Sequence, residues 1–425
     1  MTSTKMMTVV GGALVATGFT GAYGQEQNYN FFQRDRYEAV TDRYQVAFDP
    51  EPVRLGTFAL NSQLGLGAES NDNVFADAMN EQDDLLFQIA PLVDLRSDWS
   101  RHEFGVRAEA THREYNDLSS ESSTDLRGEL RGRLDLARGL DVSGTVFGSD
   151  ETEPRYSVAN LGVYEEPISY QTAGARGIAR FTRSRFRAHA EYQYTDYSYD
   201  DVPLVGGGSQ SLSNRDYSYQ RLQGRVSYAV TPDFAIFGQA ETSARDYDEM
   251  AFVNGMMESR DADGYAVQAG ANFELPILLR GDVAIGYLED TKDSDVFADV
   301  SGLSVEADVQ WFPTRLTTVS FDASRRVIDP GLATAGSATA LDYGVRVDHE
   351  LYRNILLFAE AGRRDRDYED IDRDDERLEL GLGATYKMSK HIHFDGYFER
   401  IDRDSSNPAG SFEQNVFGVA VRIFP

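Results

Sequence analysis

Three side chains near the carboxyl end could hold a metal ion. His391 and His393 stand two residues apart, with Asp395 two further on. On a β-strand they share a face, and imidazole with carboxylate is a ligand set for a transition metal; a polar row beside a turn is the plainer reading. A second candidate is the run 363–376, with Asp365, Asp367, Glu369, Asp370, Asp372, Asp374, Asp375 and Glu376. Such oxygens suit calcium, or divalent bridging to lipopolysaccharide. The run lacks the glycine that a calcium-binding loop places at its sharp turn, so a solvated charged loop is the default. Asn71-Asp72-Asn73 reads as a polar turn rather than a cation site. The segment GGGSQS, 206–211, lacks the strand–turn–helix setting of a nucleophile elbow. His102, His112, His189 and His349 are scattered. Neither an enzyme nor a cofactor is expected.

The largest set of charged side chains recurs at every second position. In residues 126–136, Arg127, Glu129, Arg131, Arg133 and Asp135 alternate with Leu126, Gly128, Leu130, Gly132, Leu134 and Leu136. Residues 341–351 repeat the pattern, with Asp342, Arg346, Asp348 and Glu350 against Leu341, Tyr343, Val345, Val347 and Leu351; His349 interrupts the apolar face. Residues 303–311 set Glu306, Asp308 and Gln310 against Leu303, Val305, Ala307, Val309 and Trp311. A helix would scatter both sets around its circumference, so the period of two means strand. Extending the count places Arg107 and Glu109 on the polar face, followed by Arg176, Arg180, Arg187 and Glu191. Arg221, Arg225, Glu241 and Glu379 join it. If that face lines a pore, its mixed charges set a transverse field that tunes selectivity. The alternative is that they only solvate and brace the wall, which the same alternation would produce.

The elements that carry these residues follow one repeat: strand, short turn, strand, long polar loop. Short connections fall near 97–101, 137–139, 182–184, 231–233, 275–280, 313–315, 352–354 and 388–390. Long ones fall at 69–84, 116–124, 149–166, 200–215, 246–263, 289–299, 329–339, 363–376 and 402–411. Their alternation predicts an all-β fold: a transmembrane antiparallel up-and-down β-barrel of about eighteen strands, sixteen being the lower count. A soluble barrel would bury the apolar face inside. Two aromatic groups favour the membrane, where rings gather at both interfaces. Tyr192, Tyr194, Tyr197, Tyr199, Tyr217 and Tyr219 are expected near the loop end, and Trp99, Phe181, Phe234, Phe273, Trp311 and Tyr386 near the turn end. Pro91 falls inside a strand and should mark a bulge or an unpaired position.

The 425-residue chain has no cysteine, which removes thiol chemistry and disulfides. A net charge of −29 argues against nucleic acid as a partner, while 12% aromatic residues are too many for disorder. Residues 1–24 have the form of a secretory leader: Lys5, an apolar stretch from Met6 to Phe19, then Ala22-Tyr23-Gly24 before Gln25. Residues 25–52 form an expected periplasmic arm, and 53–425 the barrel. In the arm Tyr37, Val40, Tyr44 and Phe48 recur at helical spacing, predicting a short amphipathic helix that docks to an export partner or constricts the periplasmic mouth. A disordered tail is the other reading of the arm.

The stretches 54–75 and 83–106, with Leu55-Gly56-Thr57-Phe58, Asp72-Asn73-Val74-Phe75, Ala90-Pro91 and Ser97-Asp98-Trp99, resemble the putative β-barrel porin 2 family, as does the later Glu166-Pro167-Ile168-Ser169-Tyr170. Phe417, Val419, Val421 and Ile423 resemble the terminal signal of outer-membrane proteins, with Phe424 penultimate rather than last. The resemblance implies residence in the outer membrane and an exopolysaccharide export conduit, with Tyr194, Tyr217, Tyr219 and Tyr397 offering rings to sugars. Expected partners are outer-membrane lipid and lipopolysaccharide, the barrel-assembly machinery, and a periplasmic polysaccharide-export protein. A passive diffusion porin and a plugged structural or adhesion barrel are the alternatives.

Overall fold

The computed structural model describes residues 36–159 and 163–425; the expected leader, 1–24, and the first part of the arm, 25–35, lie outside them. Alternation of small or apolar residues with polar ones produces eighteen long strands. The first six are β1 (Phe58–Asn71), β2 (Asp84–Ser97), β3 (Glu103–Tyr115), β4 (Ser123–Ala137), β5 (Leu140–Thr152) and β6 (Ser169–Arg183). Next come β7 (Phe186–Tyr199), β8 (Tyr217–Thr231), β9 (Phe234–Tyr247), β10 (Ala262–Leu275), β11 (Leu279–Lys292) and β12 (Val300–Thr314). The last six are β13 (Thr317–Ile328), β14 (Ala338–Tyr352), β15 (Ile355–Tyr368), β16 (Arg373–Lys387), β17 (Ile392–Ser405) and β18 (Phe412–Ile423).

Each strand pairs antiparallel with its sequence neighbours, and β18 closes the ring on β1 from Leu64↔Ile423 to Asn71↔Val416. A three-residue strand, Val53–Leu55, pairs with residues 58–60 of β1 where β18 has ended, extending the seam. Closure leaves no free sheet edge, the condition for a sheet to cross hydrocarbon. Leu126, Leu130, Leu134 and Leu136 of β4 are each at least half exposed on the convex face. Such a band repeated around a soluble monomer would be a large apolar patch in water, whereas lipid covers it at no cost.

The concave face shows how glycine is used. On four strand pairs an aromatic ring lies over the glycine directly opposite it: Phe147 over Gly174, Phe237 over Gly270, Phe358 over Gly383 and Tyr397 over Gly418. In each case an added Cβ would stand within 3 Å of the ring. The ring covers backbone that glycine alone leaves bare, and pins the strand register.

Three expectations need correction. The 363–376 run is mostly strand: β15 and β16 pair through it and leave only residues 369–372 as a turn. Arg363 bonds Asp365 and Glu376 along the outer face, so cross-strand ion pairs make a strand of what composition alone presents as a loop. Second, of the six tyrosines expected in the upper belt, only Tyr192 and Tyr194 point outward. Tyr197 and Tyr199 share the inward parity of Glu191, and Tyr217 and Tyr219 that of Arg221. Third, the arm is not helical over 36–52 but a chain of turns. Its backbone is satisfied by the barrel instead, as where the Val40 N–H donates to the Thr318 hydroxyl (3.0 Å). Pro91 sits at the locally unpaired position expected of it rather than at a bulge: pairing with β1 is continuous, while Ala90 and Pro91 lack partners on β3.

Candidate functional site: the inner wall

Polar side chains of alternate residues converge on the barrel axis. Arg225 of β8 reaches Asp282 of β11, three strands away, at 2.5 Å, and Gln239 of β9 reaches Glu306 of β12 at 3.2 Å. Contacts that skip strands form only on the concave side, where side chains approach one another.

Most of the charges on this wall are compensated in pairs. Arg107 holds Glu109 (2.8 Å), Arg127 holds Glu151, and Arg131 holds Glu129 (2.6 Å) as well as the buried Asp94. Arg133 lies between Asp135 (3.3 Å) and Glu103 (3.7 Å), and Arg180 faces Asp141 (3.5 Å). Arg221 bridges Glu191 (2.8 Å) and Glu241 (3.3 Å), with Arg176 within electrostatic reach of Glu191. Arg187 stands on the same face of β7. Arg346 joins Asp348 (3.1 Å) and Glu360 (2.6 Å), while Glu379 accepts from Arg364 (2.9 Å) and Arg377 (2.6 Å). Two of these guanidiniums also lie on the glycine-covering rings, Arg225 over Phe237 and Arg346 over Phe358. Glu306, Asp308 and Asp322 form no ion pair among the described residues, and all three are exposed to the interior. Asp308 stands directly opposite Asp322 on one side and Asp282 on the other, a row of like charges that costs stability.

At the turn end, residues 36–52 run along the inside of the rim as a strap. Arg36 is held by Asp233 (2.9 Å) and, through its N–H, by Glu274 (2.8 Å); Tyr37 stacks on Phe312. Arg43 pairs with Glu350 (2.8 Å), His393 meets the Phe48 carbonyl (2.9 Å), and Lys387 and Lys390 hold Asp49 and Glu51. The strap therefore follows the wall from the β8–β9 turn to β17 and narrows that mouth.

The loop end is covered by packed loops. Ala159, Ile168, Val202 and Leu212 form one small core. Ala251, Val253 and Phe297 form another, and Ala76, Ile401 and Phe412 a third, with Tyr156 packed on it. Among them lie Glu153, Arg215, Arg245, Arg260 and Asp329, all largely buried. Sequence reading missed this cluster, because its members come from different loops and share no spacing.

The metal candidate dissolves into separate contacts. His391 meets the Phe424 carbonyl, His393 meets the strap, and Asp395 receives two bonds from Arg422. Asn71 and Asn73 cap their own turn, and Asp72 holds Asn415. Among the described residues no group of three His, Cys, Asp or Glu side chains is placed to hold a metal ion.

The family model described as "Putative beta-barrel porin 2" matches residues 46–424. The chain belongs to that family. As a putative beta-barrel porin 2 protein it is a porin-like channel of the outer membrane, and bacterial barrels of that kind turn their short connections to the periplasm. No curated protein matches it in sequence. Among solved structures, it is similar to "Copper transporter OprC" (9% identity, 88% of this chain and 81% of that one, TM-score 0.49). It is also similar to a BenF-like porin from Pseudomonas fluorescens Pf-5 (9%, 86% and 99%, 0.47) and to OccK2 (OpdF) of Pseudomonas aeruginosa in complex with glucuronate (8%, 86% and 98%, 0.46). Likeness at this level carries nothing about cargo.

Proposed function

We propose that this porin-family barrel is a conduit for hydrophilic cargo and that the cargo is an exopolysaccharide leaving the cell. The observation that carries the reading is the compensated inner wall. Arg107–Glu109, Arg131–Asp94, Arg221–Glu191 and Arg346–Glu360 present hydrogen-bonding groups while largely cancelling one another's charge. A polymer rich in hydroxyls can exchange bonds along such a wall without being held at one point, since binding must stay weak enough to permit release. Of the four tyrosines expected to stack on sugars, Tyr194 faces outward and Tyr217 is packed between Tyr197 and Tyr247, while Tyr219 and Tyr397 face inward, Tyr397 bonded to Glu69.

A second reading, a diffusion porin for small solutes, is favoured by the uncompensated Glu306, Asp308 and Asp322, which give a standing preference for cations. Loss of the protein from a polymer-secreting strain separates the two. The conduit reading expects secreted polysaccharide to fall and periplasmic polysaccharide to rise, with small-solute uptake unchanged. Unchanged secretion with slower uptake of small cations would replace it by the porin reading.

A further inference from the structure

One buried group of charges in the covering of the outer mouth draws on several loops at once. Asp329 opens the β13–β14 loop and is only one-tenth exposed. Around it stand Arg215 from the β7–β8 loop, Arg245 at the top of β9 and Arg260 from the β9–β10 loop. Arg260 is fully buried, lies over the Tyr247 ring at 4.0 Å, and donates to the Leu332 carbonyl at 3.1 Å and to the Asn214 carbonyl. Arg215 is engaged by Glu153 of the β5–β6 loop. The buried Arg245 has no hydrogen-bond partner for its Nε and Nη1 atoms among the described residues.

The route of the loop matters as much as its charge. From β5–β6 to β13–β14 is eight of the eighteen strands, one short of diametrically opposite. Yet Gly331 of the β13–β14 loop approaches both Arg215 and Ala159 so closely that a Cβ there would lie 2.8 Å from the Arg215 guanidinium and 3.3 Å from the Ala159 Cβ. Gly331 has φ of +70°, a conformation glycine adopts freely. Loops from nearly opposite sides of the ring thus meet over the mouth.

We propose that this loop is a closed gate over the outer mouth, latched where Asp329 compensates the buried Arg245 and Arg260. A buried cation is stable only while its counter-charge is present. Releasing Asp329 removes the carboxylate 4.0 Å from Arg260 and one of the two carboxylates that act on Arg245, the other being Asp290, so the closed arrangement is weakened. The loop's other contacts are made by small residues: Ala333 on the Ala251, Val253 and Phe297 cluster, the buried Ala335, and Gly336, whose N–H donates to Asp370. This inference rests on the channel reading, but it can be tested by access rather than by current.

The chain has no cysteine, so a single Glu306→Cys in the lumen is a clean reporter. Intact cells carrying the full-length protein are treated from outside with a bulky PEG-maleimide. The gate reading expects slow labelling with Asp329 present and about tenfold faster labelling in Asp329→Asn, equivalent to about 1.4 kcal/mol of latch. Equal rates in the two backgrounds would overturn it, whatever the cargo. Should Asp329→Asn fail to assemble, Ala159→Cys with Gly331→Cys brings two thiols within disulfide reach. Oxidation is then expected to lower bilayer conductance and reduction to restore it; conductance identical before and after reduction would also overturn the gate.

Discussion

Replacing Gly418 by alanine tests the seam that closes the barrel. Gly418 on β18 stands opposite Glu69 of β1 and opposite Tyr397 of β17. An added Cβ would fall within the Tyr397 ring, whose hydroxyl donates to Glu69 at 2.6 Å. The ring must swing away, which costs about 1–3 kcal/mol of overpacking. The hydrogen bond to the carboxyl goes with it, about 1.5–3 kcal/mol for a charged partner. Because relaxation shares part of both terms, the expected loss is about 3 kcal/mol. Urea unfolding of the refolded protein in lipid vesicles, followed by the fluorescence of Trp99 and Trp311, reads it directly. Tyr397→Phe, which removes only the bond, should cost about 1.5–3 kcal/mol. Gly418→Ala in a Tyr397→Ala background should cost almost nothing, since nothing remains to be displaced. An equal cost in both backgrounds would refute the ring-over-glycine account.

Asp308→Asn with Asp322→Asn should move the bilayer reversal potential in a salt gradient toward zero, without loss of folded protein; an unchanged potential would show that selectivity lies elsewhere. Removing residues 36–49 while keeping 1–35 should leave heat-modifiable mobility on SDS gels intact and raise single-channel conductance, because the strap narrows the mouth without closing the sheet. Unchanged conductance would make the strap a passive tail. Acid should loosen the outer loops. Burial alone would raise the Asp329 carboxyl, but Arg245, Arg260, the Gly331 N–H and Arg215 outweigh it and hold the group below its ordinary value of 3.8. A depressed carboxylate stabilises the closed loops above that ordinary value and loses this contribution as pH falls through the lowered one. Glu153, Asp290 and Lys292 are the other charged groups facing the cluster. The open probability of single channels in a planar bilayer should therefore be constant from neutrality down to about pH 4 and rise only below it; a rise near neutrality would implicate a different group.

The barrel was legible because its signal is local and repeated. Leu126 to Leu136 against Arg127 to Asp135 states the strand, its faces and its period within eleven residues. Where composition competed with parity, composition misled: residues 363–376 are charged like a loop, yet Arg363, Asp365 and Glu376 pair across two strands. Tyr197 and Tyr217 could have been placed inward by counting from Glu191 and Arg221. The arm's helical spacing failed for a different reason, since Thr318, Glu274 and Glu350 offered its backbone and side chains partners that only the folded barrel supplies. The gate was not legible at all. Glu153, Arg215, Arg260 and Asp329 lie on four loops, and no spacing links them.

The measurement that bears most directly on the central claim is ionic current through the purified full-length protein in a planar bilayer, with the Asp329→Asn form alongside, before and after adding a neutral polysaccharide. The account predicts rare openings that become frequent in Asp329→Asn, and transient blocks of the open current when polymer is added. Open channels that pass current undisturbed by polymer would contradict the conduit, and a protein that never conducts in either form would contradict the channel itself.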